Sequence, residues 1–191
     1  MKLIIASNNA HKIKEIKEIL KGEFDEIVSL REAGISHETV EDGKTFLENA
    51  MKKAREIAEI SGCAALSDDS GICVHALGGA PGVFSARYAG EHGDDEANND
   101  LVLKNLEGSA DRSAHYTCAV VVAYPDGSEV HAEGYMYGKI ICERRGTHGF
   151  GYDPLFVPDG QVRTVAEMTD EEKNKISHRA RALHALLDVL R

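Results

Sequence analysis

The sequence is poor in cysteine, proline and tryptophan: its 191 residues include four cysteines, four prolines and no tryptophan. The cysteines are scattered and form no Cys-x-x-Cys pair, which argues against a zinc site and against a disulfide framework. No apolar run approaches the length of a membrane span, and the amino terminus shows no signal-peptide pattern. We therefore expect a cytoplasmic protein with reduced thiols at Cys63, Cys73, Cys118 and Cys142.

Positive charge is also scarce, with 22 lysines and arginines against 32 aspartates and glutamates and a net charge of −10. This balance argues against a nucleic-acid groove, which requires a basic stripe. It does not exclude a small polyanion, because a few local cations, backbone amides and a metal ion suffice to hold a nucleotide. Hydrophobic residues make up 42% of the chain, enough at this length for one domain, or for two lobes sharing a core.

The most unusual stretch is Leu66-Ser67-Asp68-Asp69-Ser70-Gly71. The apolar residues 64–66 predict a buried strand that ends at the two aspartates, where ligands bind in open α/β sheets. Two acids there indicate a hard divalent cation such as Mg²⁺, which shares oxygen ligands with substrate phosphates. Neighbouring strand residues face opposite ways, so we expect one aspartate to address the metal. The alternative is a solvated turn, which these residue types also favour.

A second candidate site follows the strand predicted over residues 2–6. Ser7-Asn8-Asn9-Ala10-His11-Lys12 joins it to a predicted helix, a layout in which amide N–H groups and the positive helix end hold phosphate. Lys12 is poorly placed for the helix dipole unless an anion lies nearby. The alternative is a plain helix cap with a surface lysine. No P-loop and no dinucleotide-binding glycine pattern occurs here.

Two charged residues accompany the next predicted helix. Thr45-Phe46-Leu47-Glu48 has capping-box spacing and predicts a helix to about residue 60. Glu41, just before it, is placed to reach a metal or simply to favour the helix N-terminus. Lys53, two turns into the helix, faces the same site or is merely solvated.

The third unusual segment is Gly149-Phe150-Gly151-Tyr152-Asp153-Pro154. An aromatic ring between glycines can lie open for a base to stack on, and an aspartate can accept from a ring N–H, although plain turns also contain such aromatics. His178 and Arg179 are side by side near the start of a C-terminal apolar stripe. They are structural, or they read a ligand that carries a carbonyl group.

The remaining secondary structure is predicted from periodicity and turn signals. We expect strands over residues 24–30, 72–77 and 139–143, a helix over 94–106, a hairpin of strands 116–124 and 129–137, and one helical region from residue 169 to the C-terminus.

Together, these motifs resemble the Ham1-like, inosine triphosphate pyrophosphatase family. The matching residues occur in the family's order and spacing and cover nearly the whole chain, with one departure at Ser7-Asn8-Asn9, where many members have Thr-Gly-Asn. The motifs are Ser7–Lys12, Phe46-Leu47-Glu48-Asn49-Ala50 with Lys53-Ala54, Asp68-Asp69-Ser70-Gly71, Leu77-Gly78-Gly79-Ala80-Pro81-Gly82, Phe150-Gly151-Tyr152-Asp153-Pro154, and Glu172-Lys173 with Ser177-His178-Arg179.

The resemblance implies an elongated α/β fold with a long mixed β-sheet flanked by helices and a cleft between two lobes of a single domain, residues 1–191. It also implies a homodimer that requires Mg²⁺. The implied reaction converts inosine, deoxyinosine or xanthosine triphosphate to the monophosphate and pyrophosphate. Nucleic-acid and membrane partners are not expected.

The resemblance also assigns roles to residues. Asp69 would be the general base, and Asp69 and Glu41 would bind the metal. The residues that would bind substrate are Ser7, Asn8, Asn9, Ala10, His11, Lys12, Lys53, Ser70, Phe150, Gly151, Tyr152, Asp153, Lys173, His178 and Arg179.

Selectivity should depend on the 6-oxo group of the purine. A donor such as Arg179 or His178 would hydrogen-bond to this acceptor, whereas the 6-amino group of ATP would face it with a second donor. Because a buried donor without an acceptor is costly, this mismatch would strongly lower the affinity for ATP relative to ITP. Two rival interpretations stay open. One is a Maf-like pyrophosphatase of pyrimidine nucleotides, and the other is a nucleotide-binding module without turnover.

Overall fold

In the computed structural model, which describes residues 1–191, the chain forms six strands, five α-helices and three short 3₁₀ turns. The strands are β1 (Lys2–Ile5), β2 (Glu26–Ser29), β3 (Ala64–Val74), β4 (Ser113–Ala123), β5 (Glu129–Ile140) and β6 (Phe156–Pro158). The helices are α1 (Ala10–Ile19), α2 (Phe46–Ser61), α3 (Asp95–Asn105), α4 (Asp170–Ile176) and α5 (His178–Leu190).

The six strands form one mixed sheet in the order β2-β1-β3-β4-β5-β6. Strand β1 runs parallel to β2 and β3, whereas β5 runs antiparallel to β6. The predicted mixed α/β class is therefore confirmed. None of the helices combines the length and the apolar character that crossing a bilayer requires.

The chain divides into two compact units, of which the first comprises residues 1–69, 118–134 and 179–191. Its strand β1 is apolar on both faces. In β1, Leu3 and Ile5 pack in a cluster with α1 and α5, whereas Ile4 packs in a second cluster with α2. A sheet covered on both faces requires continuous apolar runs in its strands, which explains the Leu-Ile-Ile sequence.

The second unit comprises residues 70–117 and 135–178. Its core joins strand residues such as Ile72 to apolar residues of α3 such as Val102. Here β5 is buried on one face only, because Met136 is 2% exposed while Tyr135 and Tyr137 are exposed. This alternation is typical of a strand with one solvated face.

The prediction that the strand ends at Asp68-Asp69 is wrong, and so is the alternative of a solvated turn, because β3 runs without a break from Ala64 to Val74, 11 residues in all. Strand β3 lies between β1 and β4 in the sheet. Its backbone groups therefore have hydrogen-bonding neighbours on both sides, and this pairing outweighs the local turn preference of Asp, Ser and Gly.

Two further boundaries differ from expectation. Instead of a separate strand over residues 139–143, β5 extends to Ile140, where it pairs with the three-residue strand β6 that the sequence did not indicate. The C-terminal helical region breaks at Ser177, whose ψ of 153° is extended rather than helical. Residues on the two sides of this break belong to different helices, α4 and α5.

The two isoleucines of α2 test the packing of the first unit. Ile57 is 2% exposed and Ile60 is 53% exposed. We expect Ile57→Ala to lower the free energy of unfolding by about 2–5 kcal/mol, because it leaves a cavity in a packed core. Ile60→Ala, the control, should change it by no more than about 0.5 kcal/mol. Urea denaturation measures both, and equal effects would show that α2 does not pack through Ile57.

Candidate active site

The two aspartates of β3 face opposite sides of the strand, as the alternation of strand residues predicts. The Asp68 carboxylate meets groups from α1 and α5, whereas the Asp69 carboxylate meets groups from α2. Both side chains are buried. A buried carboxylate is tolerated only when it is paired or hydrogen-bonded, so each aspartate requires its own set of partners.

Asp68 is held by cations. Its Oδ2 accepts from Arg179 Nε at 3.2 Å and Nη2 at 3.1 Å, and Lys12 Nζ lies 3.1 Å away. The Cys118 thiol lies 3.8 Å from the same oxygen. Burial alone would raise the pKa of Asp68, but the charges of Lys12, Arg179 and Lys53 outweigh it and hold that pKa well below its ordinary value. Asp68 is thus a fixed negative charge.

Arg179 is bound by two carboxylates. Its guanidinium is 1% exposed and donates to Glu15 of α1 as well as to Asp68. Burial would lower the pKa of Arg179, but the two carboxylates raise it, so the side chain stays charged. The sequence motifs predict Arg179 near a substrate base and give no role to Glu15. The available signal was an acidic residue beside Ile16 on the buried side of α1.

Asp69 has a different environment. Its Oδ2 accepts from Asn49 Nδ2 at 3.0 Å, and its Oδ1 lies 4.0 Å from Lys53 Nζ. Burial raises the pKa of Asp69; Lys53 and Lys12 oppose this shift and Glu41 adds to it, with a net rise. A carboxylate with a raised pKa holds a proton more readily, which suits a general base.

Lys53 joins the acidic groups on this side. Its Nζ donates to Glu41 Oε1 at 3.0 Å and to the main-chain oxygen of Asp68 at 2.9 Å. Burial would lower the pKa of Lys53, but Asp69 and Glu41 raise it. The structure therefore brings together the predicted residues Glu41, Lys53 and Asp69.

Asn49 is a site residue to which the sequence motifs alone assign no role. Its Oδ1 accepts from the Gly43 N–H at 2.8 Å while its Nδ2 donates to Asp69. A Cβ at residue 43 would lie 2.5 Å from Asn49 Oδ1, so only glycine permits this approach. The loop before α2 thereby orients the amide that orients Asp69.

The predicted phosphate segment is a well-formed helix cap in this structure. Asn9 Oδ1 accepts from the N–H groups of His11 and Lys12, and Ser7 Oγ accepts from the Asn9 N–H. Three of the amides expected to bind phosphate thus donate within the cap. The side chains of Asn8, Asn9 and His11 are exposed, Ala10 is exposed and Ser7 is half-buried.

The donor set suits a hard cation that completes its shell with other ligands. No group of three or more His, Cys, Asp or Glu side chains forms a metal cage. Glu41 and Asp69 supply carboxylate oxygens at one place, and the charge of Glu41 raises the pKa of Asp69. Mg²⁺ fits such a pair, because it binds through one or two carboxylates plus water and substrate phosphates.

The second unit contains the aromatic candidates. Lys173 Nζ lies 4.6 Å from the centre of the Phe150 ring and donates to Asp153 Oδ2 at 2.9 Å. Asp153 Oδ1 accepts from Tyr116 O–H at 3.2 Å, and the Tyr116 ring stacks on His178 with ring centres 4.6 Å apart. Four predicted residues, Phe150, Asp153, Lys173 and His178, therefore form one cluster through Tyr116.

Three other predicted residues of this unit have different environments. Tyr152 is 3% exposed and its O–H donates to the Ser85 carbonyl at 2.7 Å, so its side chain is part of the core. Gly151 is bonded to α3 through both its N–H and its C=O. Ser70 is half-buried in β3.

Substitution of Arg179 tests the charge network around Asp68. Arg179→Ala is expected to lower the free energy of unfolding by about 3–5 kcal/mol, because two buried carboxylates lose their shared partner. Urea denaturation measures the loss. The exposed Arg181 of the same helix is the control, and Arg181→Ala should stay within about 0.5 kcal/mol of wild type. Equal stability of the two variants would contradict a network role for Arg179.

Comparisons with known proteins identify the family of the chain. The profile of the Ham1 family matches residues 3–189. A Clostridium perfringens protein named dITP/XTP pyrophosphatase is 51% identical, over 100% of this chain and 97% of its own length. A Bacillus subtilis protein of the same name is 47% identical, over 98% and 96%. The structure of a Ham1 protein from Coxiella burnetii matches with a TM-score of 0.90 at 39% identity, over 100% and 98% of the two chains. The chain belongs to the Ham1 family.

Proposed function

We propose that this protein hydrolyses noncanonical purine nucleoside triphosphates, namely dITP, XTP and ITP, to the monophosphate and pyrophosphate. The observation that carries the proposal is the environment of Asp69, a buried carboxylate of raised pKa held by Asn49 beside Lys53. The relatives named dITP/XTP pyrophosphatase, 51% and 47% identical, support the substrate class. In this role the protein removes such nucleotides from the pool.

The reaction requires water to attack the α-phosphorus. A bond forms between the water oxygen and the α-phosphorus, and the bond from that phosphorus to the oxygen bridging the α- and β-phosphates breaks. The departing electron pair leaves on pyrophosphate. Asp69 accepts the proton of the attacking water, a contribution of about 10²–10⁴-fold to the rate. Asn49 holds the carboxylate so that the other oxygen, Oδ1, faces Lys53.

The triphosphate is held by cations and by the start of α1. Lys12 and Lys53 are both mostly buried, and each forms an ion pair, Lys12 with Asp68 and Lys53 with Glu41. Donors fixed in a water-poor site stabilise the charge that develops on pyrophosphate more effectively than donors in bulk water. The exposed polar side chains of Asn8, Asn9 and His11 extend this surface.

Magnesium is the cation that the proposal assigns to Glu41 and Asp69. A bound Mg²⁺ would neutralise part of the phosphate charge and lower the pKa of a coordinated water molecule. Lys53 already contacts Glu41 and lies near Asp69, so it keeps the two carboxylates together.

The base is proposed to stack on Phe150. The ammonium of Lys173 lies over the Phe150 ring and donates to Asp153. The cation–π attraction and this hydrogen bond keep the lysine and the ring in place. His178, held by stacking on Tyr116, is the proposed donor to the 6-oxo group. Because Arg179 donates to Asp68 and Glu15, we assign it to the charge network and not to the base.

The proposal includes the homodimer that the family resemblance implies and a reducing, cytoplasmic environment. All four cysteines are free thiols, which supports such a compartment.

Product analysis tests the reaction. The wild-type protein with Mg²⁺ is expected to convert ITP to IMP and pyrophosphate, measured by chromatography and a coupled pyrophosphate assay. Asp69→Asn should lower kcat by at least about 10²-fold while ITP binding measured by calorimetry is largely preserved, because the amide cannot accept the proton. Asp42→Asn, an exposed residue paired with Lys52, is the control and should match wild type.

Other products separate the rivals. IDP with orthophosphate would refute α-phosphorus attack, and preference for pyrimidine triphosphates would favour a Maf-like activity. Binding without turnover would indicate a sensor. Wild-type rates in Asp69→Asn would remove Asp69 from its role.

The selectivity proposal depends on His178. His178→Ala should reduce the ratio of kcat/KM for ITP over ATP by about tenfold or more, because the donor that opposes the 6-amino group is lost. His184, exposed on the same helix, is the matched control, and His184→Ala should keep the wild-type ratio. An unchanged ratio in His178→Ala would place discrimination at another group.

A further inference from the structure

Neither sequence neighbour of Phe150 has a side chain that could restrict the ring, because Phe150 lies between Gly149 and Gly151. Lys173 and Asp153 contact it: Lys173 Nζ lies 4.6 Å from the ring centre, and Asp153 Oδ2 accepts from the Phe150 N–H at 3.2 Å. Gly151 has a φ of +61°, in the left-handed region. The direction of the ring therefore also depends on what holds the backbone on the Gly151 side.

Helix α3 holds that backbone at two points. Asp95 Oδ2 accepts from the Gly151 N–H at 2.7 Å, and Asn99 Nδ2 donates to the Gly151 C=O at 3.0 Å. The N–H belongs to the peptide bond between Phe150 and Gly151, and the C=O belongs to the next one. Both peptide planes that follow Phe150 are thus bonded to the first two turns of α3.

The side chain of Asn99 is buried and held in its contact with Gly151. It is 1% exposed, and its Nδ2 donates to the Asp95 C=O at 2.7 Å as well as to Gly151. Its Oδ1 is buried without a hydrogen-bond partner. Here both bonds come from the donor end, one to the loop and one to the helix that carries it.

We propose that Asp95 and Asn99 are positioning residues that set the plane of the Phe150 ring and thereby the affinity for the purine base. The inference rests on the proposed function, because it takes Phe150 as the stacking surface. Neither residue touches the phosphates or the reacting water in this assignment. Their loss should weaken binding of the base without slowing the chemical step.

Asn98 provides a matched control on the same helix. It is also 1% exposed, and it makes two backbone hydrogen bonds, accepting from the Ala89 N–H at 2.8 Å and donating to the Ala86 C=O at 3.3 Å. Asn98→Ala removes two hydrogen bonds to the backbone, as Asn99→Ala does, but they lie at Ala86 and Ala89 and not next to Phe150.

The experiment is a double-mutant cycle with ITP as substrate. Asn99→Ala should raise KM by about tenfold with kcat within about twofold of wild type, the signature of lost uniform binding. In a Phe150→Ala background the same substitution should have less than about a twofold further effect, because the ring that it positions is absent. Asn98→Ala should leave KM near wild type and act independently of Phe150.

Substitutions at Asp95 give a second test that does not depend on the fully buried amide. Asp95→Ala should reproduce the KM increase. Asp95→Asn keeps an oxygen acceptor for the Gly151 N–H and should return KM to the wild-type value. Equal effects of Asn99→Ala and Asn98→Ala, or additivity of Asn99→Ala with Phe150→Ala, would overturn the proposal.

Calorimetric titration of IMP measures base affinity without turnover. A wild type that binds IMP but fails to hydrolyse ITP would refute the proposed function while still testing the positioning role.

Discussion

The constraint on which this structure depends is the burial of two neighbouring carboxylates in one central strand. Because adjacent residues of a strand face opposite sides, Asp68 and Asp69 cannot share one set of partners. Asp68 is therefore paired with cations from α1 and α5, and Asp69 with an amide and a lysine from α2. The three helices of the first unit are each tied to the strand by a polar contact as well as by apolar packing.

The different partners give the same residue type two opposite properties. Two cations within about 3 Å keep Asp68 ionised, and burial with an acidic neighbour makes Asp69 more basic. Environment assigns the roles of paired acids in many hydrolases in this way. Under the proposed function, Asp68 organises Lys12 and Arg179, while Asp69 exchanges the proton.

Much of this arrangement could be predicted from local sequence. The family resemblance is confirmed, and β1, α1, the Thr45 cap of α2 and the β4–β5 hairpin lie close to where periodicity and capping signals placed them. Such features depend on contacts a few residues apart, which a sequence displays directly.

What could not be predicted depends on contacts distant in sequence. The turn preference of Asp68–Gly71 is a local property, and pairing of β3 between two other strands overrides it. Glu15 reaches Arg179 across 164 positions, and Asp95 reaches Gly151 across 56. The position of Glu15 beside Ile16 indicates that it is buried, but no pattern within α1 or α3 indicates which distant residue Glu15 or Asp95 binds.

The charge network has a consequence for how the nucleotide is attracted. Every cation in it, Lys12, Lys53 and Arg179, already neutralises an acidic group. The acids outnumber them, four against three: Glu15, Glu41, Asp68 and Asp69. A triphosphate arriving here meets no surplus of positive charge, so under the proposed function Lys12 and Lys53 hold it tightly only together with a divalent ion, and the free concentration of that ion affects how much substrate is retained.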